Sequence, residues 1–181
     1  MRGLARGGHA RRHRRPVTAF LLAVHVVAAI LAVGPVTVAA SMFPAAARRV
    51  RPGESCEPAA GVGASAASGV GAVRLLHRVC RVYAAMGVAV PVFGLATASS
   101  LGVLTDAWLI ASMVLTAVAA AILALRILPG QEALVARLEE GAAPVERTDT
   151  ARLAMLTGAF NLLWVTVTIL MIIRPGSTTG A

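Results

Sequence analysis

The sequence predicts an all-α polytopic membrane protein, a four-transmembrane-helix bundle, and three observations carry that expectation. Four runs hold no Arg, Lys, Asp or Glu: Pro16 to Ala47, Val82 to Thr105, Ala107 to Leu125 and Leu153 to Ile173. Each matches or exceeds the roughly 20 apolar residues that a helix needs to cross a hydrocarbon core. Hydrophobic residues make up 57% of the chain, above the share of about 45–50% in soluble domains. All 17 basic residues are Arg, and they flank the runs rather than interrupt them.

These observations divide the chain into a disordered basic tail (1–15), one membrane domain (16–174) and a C-terminal tail (175–181). Spans are expected at about 17–42, 76–98, 106–128 and 152–173, with a flexible loop over 44–71. The tail holds six arginines with His9 and His13. It could also be the n-region of a secretory signal, with Ala39-Ala40-Ser41 as its cleavage site. The apolar run exceeds the 7–15 residues of a signal core, which favours an uncleaved first span. A start site placed too far upstream is a third reading of the tail.

The first loop opens with Arg48, Arg49 and Arg51 and continues as a Gly/Ala/Ser-rich linker from Ala59 to Gly71. Arg74, Arg78 and Arg81 then recur at helical spacing opposite Leu76, Val79, Cys80 and Tyr83, an amphipathic entrance to the second span. His77 on this entrance is expected among the headgroups, in a solvated role. Pro91 is expected to kink the second span, between Gly87 and Gly94. The next connection is tight, with Thr105 or Asp106 capping the third span and Trp108 at the interface. Pro129-Gly130 is expected to stop that span, followed by a short Gln131–Glu140 helix with surface charges. Thr148, Asp149 and Thr150 offer caps for the fourth. Cys56 and Cys80 form no disulfide framework and no CxxC.

A formal net charge of +9 raises nucleic acid as a partner, but no aromatic-interleaved basic patch or reader motif occurs. The arginines instead suit anionic headgroups, making the lipid bilayer the first partner; a homo-oligomer or a membrane protein partner is the second. An Arg-only, Ala/Gly/Val-rich composition suggests a GC-rich bacterial source, hence a multi-pass protein of the bacterial plasma membrane. Arginines near the span ends favour loops one and three inside and both termini outside, although the basic tail opposes this.

His25 is the one ionisable residue deep within a span, which makes it the candidate site. Helical steps from it reach Ala28, Ala29, Ala32, Val36 and Ala39, so it lies on a small-residue face suited to close packing. Such an imidazole can ligate haem or a metal, shuttle a proton, or hydrogen-bond to a neighbouring span. Ser112, Thr116, Asn161, Thr166 and Thr168 are available partners for the last role. His77 falls about 20 Å away in depth from His25, so the two cannot share one metal within a monomer. Met113 is level with His25 if spans one and three run parallel; it is either a packing residue or a second ligand. Tyr83 and Trp164 read as packing or interface anchors. Ala117–Ala121 and Ala154–Gly158 have the small-xxx-small spacing of packed helices. No HExxH, GxSxG, P-loop or pair of intramembrane carboxylates occurs.

The segment Leu21-Leu22-Ala23-Val24-His25-Val26-Val27-Ala28-Ala29-Ile30-Leu31-Ala32-Val33-Gly34 resembles the opening of a group of four-helix bacterial membrane proteins. The group comprises an uncharacterised predicted integral membrane protein family and relatives similar to the copper-resistance D domain. The Arg-rich first loop, tight second connection and basic third loop match its layout, which implies termini outside. The resemblance further implies b-type haem binding, copper handling or a part in haem synthesis, with His25 alone carrying over. Three functions therefore stand open: a non-enzymatic bundle, a redox protein using His25, and a small-solute transporter hinged at Pro91.

Overall fold

The computed structural model describes residues 7–50, 69–140 and 145–176, with side chains from Pro16 onward. Their order is α1 (Gly7–Arg49), α2 (Gly69–Met86), α3 (Ala89–Leu101), α4 (Ala107–Ile122), a π turn (Leu123–Ile127), α5 (Leu128–Glu139) and α6 (Arg147–Ile173). Together they make four helical spans, Pro16–Arg49, Gly69–Leu101, Ala107–Glu139 and Arg147–Ile173, each long and apolar enough to cross a membrane. The all-α four-helix bundle is the observed fold.

α1 packs along α2 and α3 on one side and α6 on the other, while α4 packs on α6 and α5 returns to α2. Three apolar layers stack along this bundle. Val36, Ala39, Ala40, Cys80, Ala119, Leu123, Ile127 and Phe160 form the middle. Phe43, Ala47, Val73, Leu134, Val135 and Leu153 form the end nearest the first and third loops. Ala98, Trp108 and Leu109 form the opposite end, against Val103 and Met171. The small-residue face of the first span is thus the buried one, with Ala32, Val36 and Ala39 all nearly inaccessible.

Several boundaries differ from expectation. α1 begins at Gly7, inside the stretch expected as disordered; Ala10 and four arginines over Gly7–Arg15 are good helix formers. It also runs through Pro44 to Arg49 instead of opening a loop at 44. The linker body and Cys56 lie outside the described residues, whereas its ends meet: a Cβ on Gly69 would stand 3.2 Å from Val50 Cγ2.

The expected kink in the second span is present as a break. Gly87 and Val88 form a turn between α2 and α3. Pro91 has no N–H to offer the Gly87 carbonyl, which instead accepts from Val90 at 3.1 Å, a tighter i→i+3 bond. α3 then ends on Gly102, whose φ of 72° is the left-handed cap that glycine adopts without steric cost.

Pro129-Gly130, by contrast, does not stop the third span. The π turn precedes it, with Leu128 N–H reaching back five residues to the Leu123 carbonyl. That wider turn accommodates the ring, and Pro129 sits in the first turn of α5, where its missing N–H costs little.

Caps also differ. Asp106 is at the N-cap of α4, but its carboxylate accepts from Trp108 Nε1 at 3.0 Å rather than from the backbone. α6 starts at Arg147, ahead of the expected caps, so Thr150 is buried and donates back to the Arg147 carbonyl at 3.0 Å. The Ala117–Ala121 and Ala154–Gly158 pairs face outward, because the inward stripes run through Ser112 and Ala119 on α4 and through Leu153, Thr157 and Phe160 on α6.

Candidate functional site at the His25 crossing

α1 meets α3 at His25. The half-buried imidazole donates from Nδ1 to the Val90 carbonyl at 2.8 Å. Gly94, one turn further along α3, provides the space: a Cβ there would lie 2.9 Å from His25 Cε1 and 3.2 Å from Nδ1. A helical carbonyl has two lone pairs and its own ladder bond uses one, so a donor reaching it past a glycine can take the other. His25 therefore has a backbone partner, where a Ser or Thr on spans three or four was expected. Those hydroxyls serve their own helices: Ser112 donates to Trp108, Thr116 to Ser112, Thr166 to Leu162 and Thr168 to Trp164, all to carbonyls. Asn161 alone of that group reaches span one, donating to Ser41 Oγ at 3.3 Å.

The donation fixes Nδ1–H as the tautomer, leaving the Nε2 lone pair as an acceptor. Ligating histidines share this arrangement. The surroundings do not suit a porphyrin held within the bundle. A central cleft of about 150 Å³ lies beside the α2–α3 break, lined by Ala32, Tyr83, Pro91, Thr116, Phe160 and Trp164 among others. His25 does not line it, and the volume is below the roughly 300 Å³ where small-molecule pockets begin. Met113 is 43% exposed on the outer side of α4, a helix that packs on α6. Among the described residues, no group of three or more His, Cys, Asp or Glu could hold a metal ion.

His77 differs from its expected headgroup position. It is half-buried and starts a chain of polar contacts across the bundle: Nδ1 donates to Gln131 Oε1 at 3.3 Å, and Gln131 Nε2 donates to Cys80 Sγ at 3.7 Å. Cys80 Sγ in turn points at the Val36 carbonyl, 4.0 Å away. Gln131, assigned by sequence to a charged surface helix, is 1% exposed and joins α5 to α2. From His77 to Val90 is thirteen residues, about 20 Å of rise, so the two histidines occupy separate sites.

A second feature invisible in the sequence is a face of α6. Thr157 Oγ1, Asn161 Oδ1 and Trp164 Nε1 are buried without hydrogen-bond partners, at helical spacing. Trp164 packs its ring edge-on to Phe160, 6.3 Å between centroids, which makes it a packing residue. At the far end, Arg174 lies 5.5 Å over the Trp108 ring, tying the end of span four to the start of span three.

No protein family model, characterised protein or solved structure matches this chain.

Proposed function

We propose that this chain is a multi-pass protein of a bacterial plasma membrane, a non-enzymatic four-helix bundle with a role in membrane interaction or assembly. The observation that carries the reading is the use made of His25. The one deep ionisable side chain is committed to holding span one on span two, through the Val90 carbonyl and over Gly94. A histidine so placed serves packing and specificity, as interhelical polar contacts commonly do.

The resemblance to the copper-resistance D-like group supplies the opposing redox reading, and one spectrum separates the two. Protein purified in detergent from haem-sufficient cells is expected to show no Soret band, oxidised or dithionite-reduced. A Soret band that His25→Ala abolishes would overturn the packing role. The arginine distribution supports loops one and three inside and termini outside. A cysteine appended after Ala181, in a Cys56→Ser background, is then labelled on intact cells by an impermeant maleimide.

A further inference from the structure

The strongest unassigned feature is a cleft of about 250 Å³ between α5 and α6, at the end of the bundle nearest the first and third loops. Three guanidinium groups line it: Arg126 in the π turn, Arg137 on α5 and Arg152 on α6. Asp149 neutralises one of them, pairing with Arg137 at 2.8 Å. Arg126 and Arg152 are exposed, and neither has a carboxylate partner among the described residues. The cleft thus has an excess of two positive charges, contributed by two different spans.

Its depth is set by the opposite interface. Arg174 over Trp108 marks one boundary. From Trp108 to Arg126 the helix rises about 27 Å, and from Arg174 back to Arg152 about 33 Å. Both free arginines therefore reach the second boundary of a hydrocarbon core roughly 30 Å thick. Below them, on the membrane side, Leu125 is 71% exposed and Leu156 also lines the cleft. The floor is closed where Gly130 lets Leu153 approach, since a Cβ there would be 2.9 Å from Leu153 Cδ2.

We propose that this cleft binds the phosphodiester headgroup of an anionic glycerophospholipid. Arg126 and Arg152 clasp the phosphate from two helices, and an acyl chain descends along Leu125 and Leu156. Guanidinium matches phosphate oxygens in charge and geometry, and basic recesses between spans are where such headgroups lodge. A free phosphate ion would use the same arginines but gain nothing from the apolar wall beneath them, so the lipid is the occupant the cleft fits.

The test is native mass spectrometry of the detergent-purified full chain, titrated with phosphatidylglycerol or with phosphatidylcholine of matched chains. One phosphatidylglycerol is expected to be retained, at least tenfold in preference to phosphatidylcholine. Arg126→Gln/Arg152→Gln is expected to weaken its binding about thirtyfold, and Arg152→Gln alone about fivefold. Arg48→Gln/Arg49→Gln removes equal charge from the neighbouring end of α1 and is expected to bind like wild type. The single variant serves if the double melts early. Three results would overturn the site: equal loss in both double variants, no preference for the anionic lipid, or displacement of the lipid by equimolar inorganic phosphate.

Discussion

His25 and Gly94 meet so closely that a methyl group on Gly94 would stand 2.9 Å from the imidazole Cε1. Span one and span two are therefore held at a distance that only glycine permits, with the ring's hydrogen bond to Val90 as the reward for closeness. Gly94→Ala is expected to cost about 1–3 kcal/mol through overpacking. His25→Ala removes a bond worth about 0.6 kcal/mol on average within membranes, together with the packing of the ring. With the ring gone, the added methyl has room, so the double variant should melt above Gly94→Ala. Thermal melting in detergent checks the non-additivity, and simple additivity would mean the contact is not shared.

Gln131 is the interior polar group with most to lose. It accepts from His77 and donates to Cys80 while almost wholly buried. Gln131→Ala leaves His77 without its acceptor and opens a void, and should lower stability by about 2 kcal/mol. Gln131→Met keeps the volume and is expected to cost less. The order of the two melting temperatures reads out the relative weight of packing and hydrogen bonding.

Thr157 predicts a change of opposite sign. Its hydroxyl is buried and unpartnered, in a residue only 3% exposed. Thr157→Val removes an unsatisfied group without changing shape and should raise stability by about 1 kcal/mol. A fall in melting temperature would show that the hydroxyl has a partner in the membrane-embedded protein.

Arg74–Glu139 at 2.7 Å and Arg137–Asp149 at 2.8 Å both anchor α5, yet their side chains are between 39% and 61% exposed. Pairs so exposed contribute about 0–1 kcal/mol and are screened by salt. Glu139→Gln should shift melting by no more than a degree or two, and less still in 0.5 M salt.

Cys80 is fully buried beneath α1 and α5. With Cys56 replaced by Ser, the folded protein should resist maleimide for hours and react promptly once denatured. Labelling of the folded protein would place α2 differently.

The spans were legible because bilayer thickness imposes run length, and a run without charge is read directly from sequence. The buried face of span one was equally legible, since His25, Ala32, Val36 and Ala39 recur at helical spacing and small residues mark close packing. The partner of His25 was not, because Val90 offers a backbone carbonyl, and every residue carries one. Gly94 was noted only as a neighbour of Pro91, although its missing side chain is what admits the ring. The burial of Gln131 was not legible for a related reason: with Pro129-Gly130 expected to stop the span, Gln131 opened a short helix marked by its surface charges. Ala117–Ala121 and Ala154–Gly158 show the converse, as spacing identifies a face without saying which way it turns.

The π turn at Leu123–Ile127 has a consequence for rotational phase. At about 100° per residue, an unbroken α-helix would carry Gln131 and Val135 roughly a quarter-turn or more away from the stripe set by Trp108, Ser112, Ala119 and Leu123. The additional residue in the wider turn subtracts one such step and returns both to that stripe, where they are found buried. The third span thus behaves as a shaft with an offset coupling. Deleting a single residue from the coupling is therefore expected to let it close as a regular α turn with Gln131 still facing Cys80, whereas deleting one from an unwidened part of the same span would swing Gln131 away, so the frame of this segment matters more than its individual side chains.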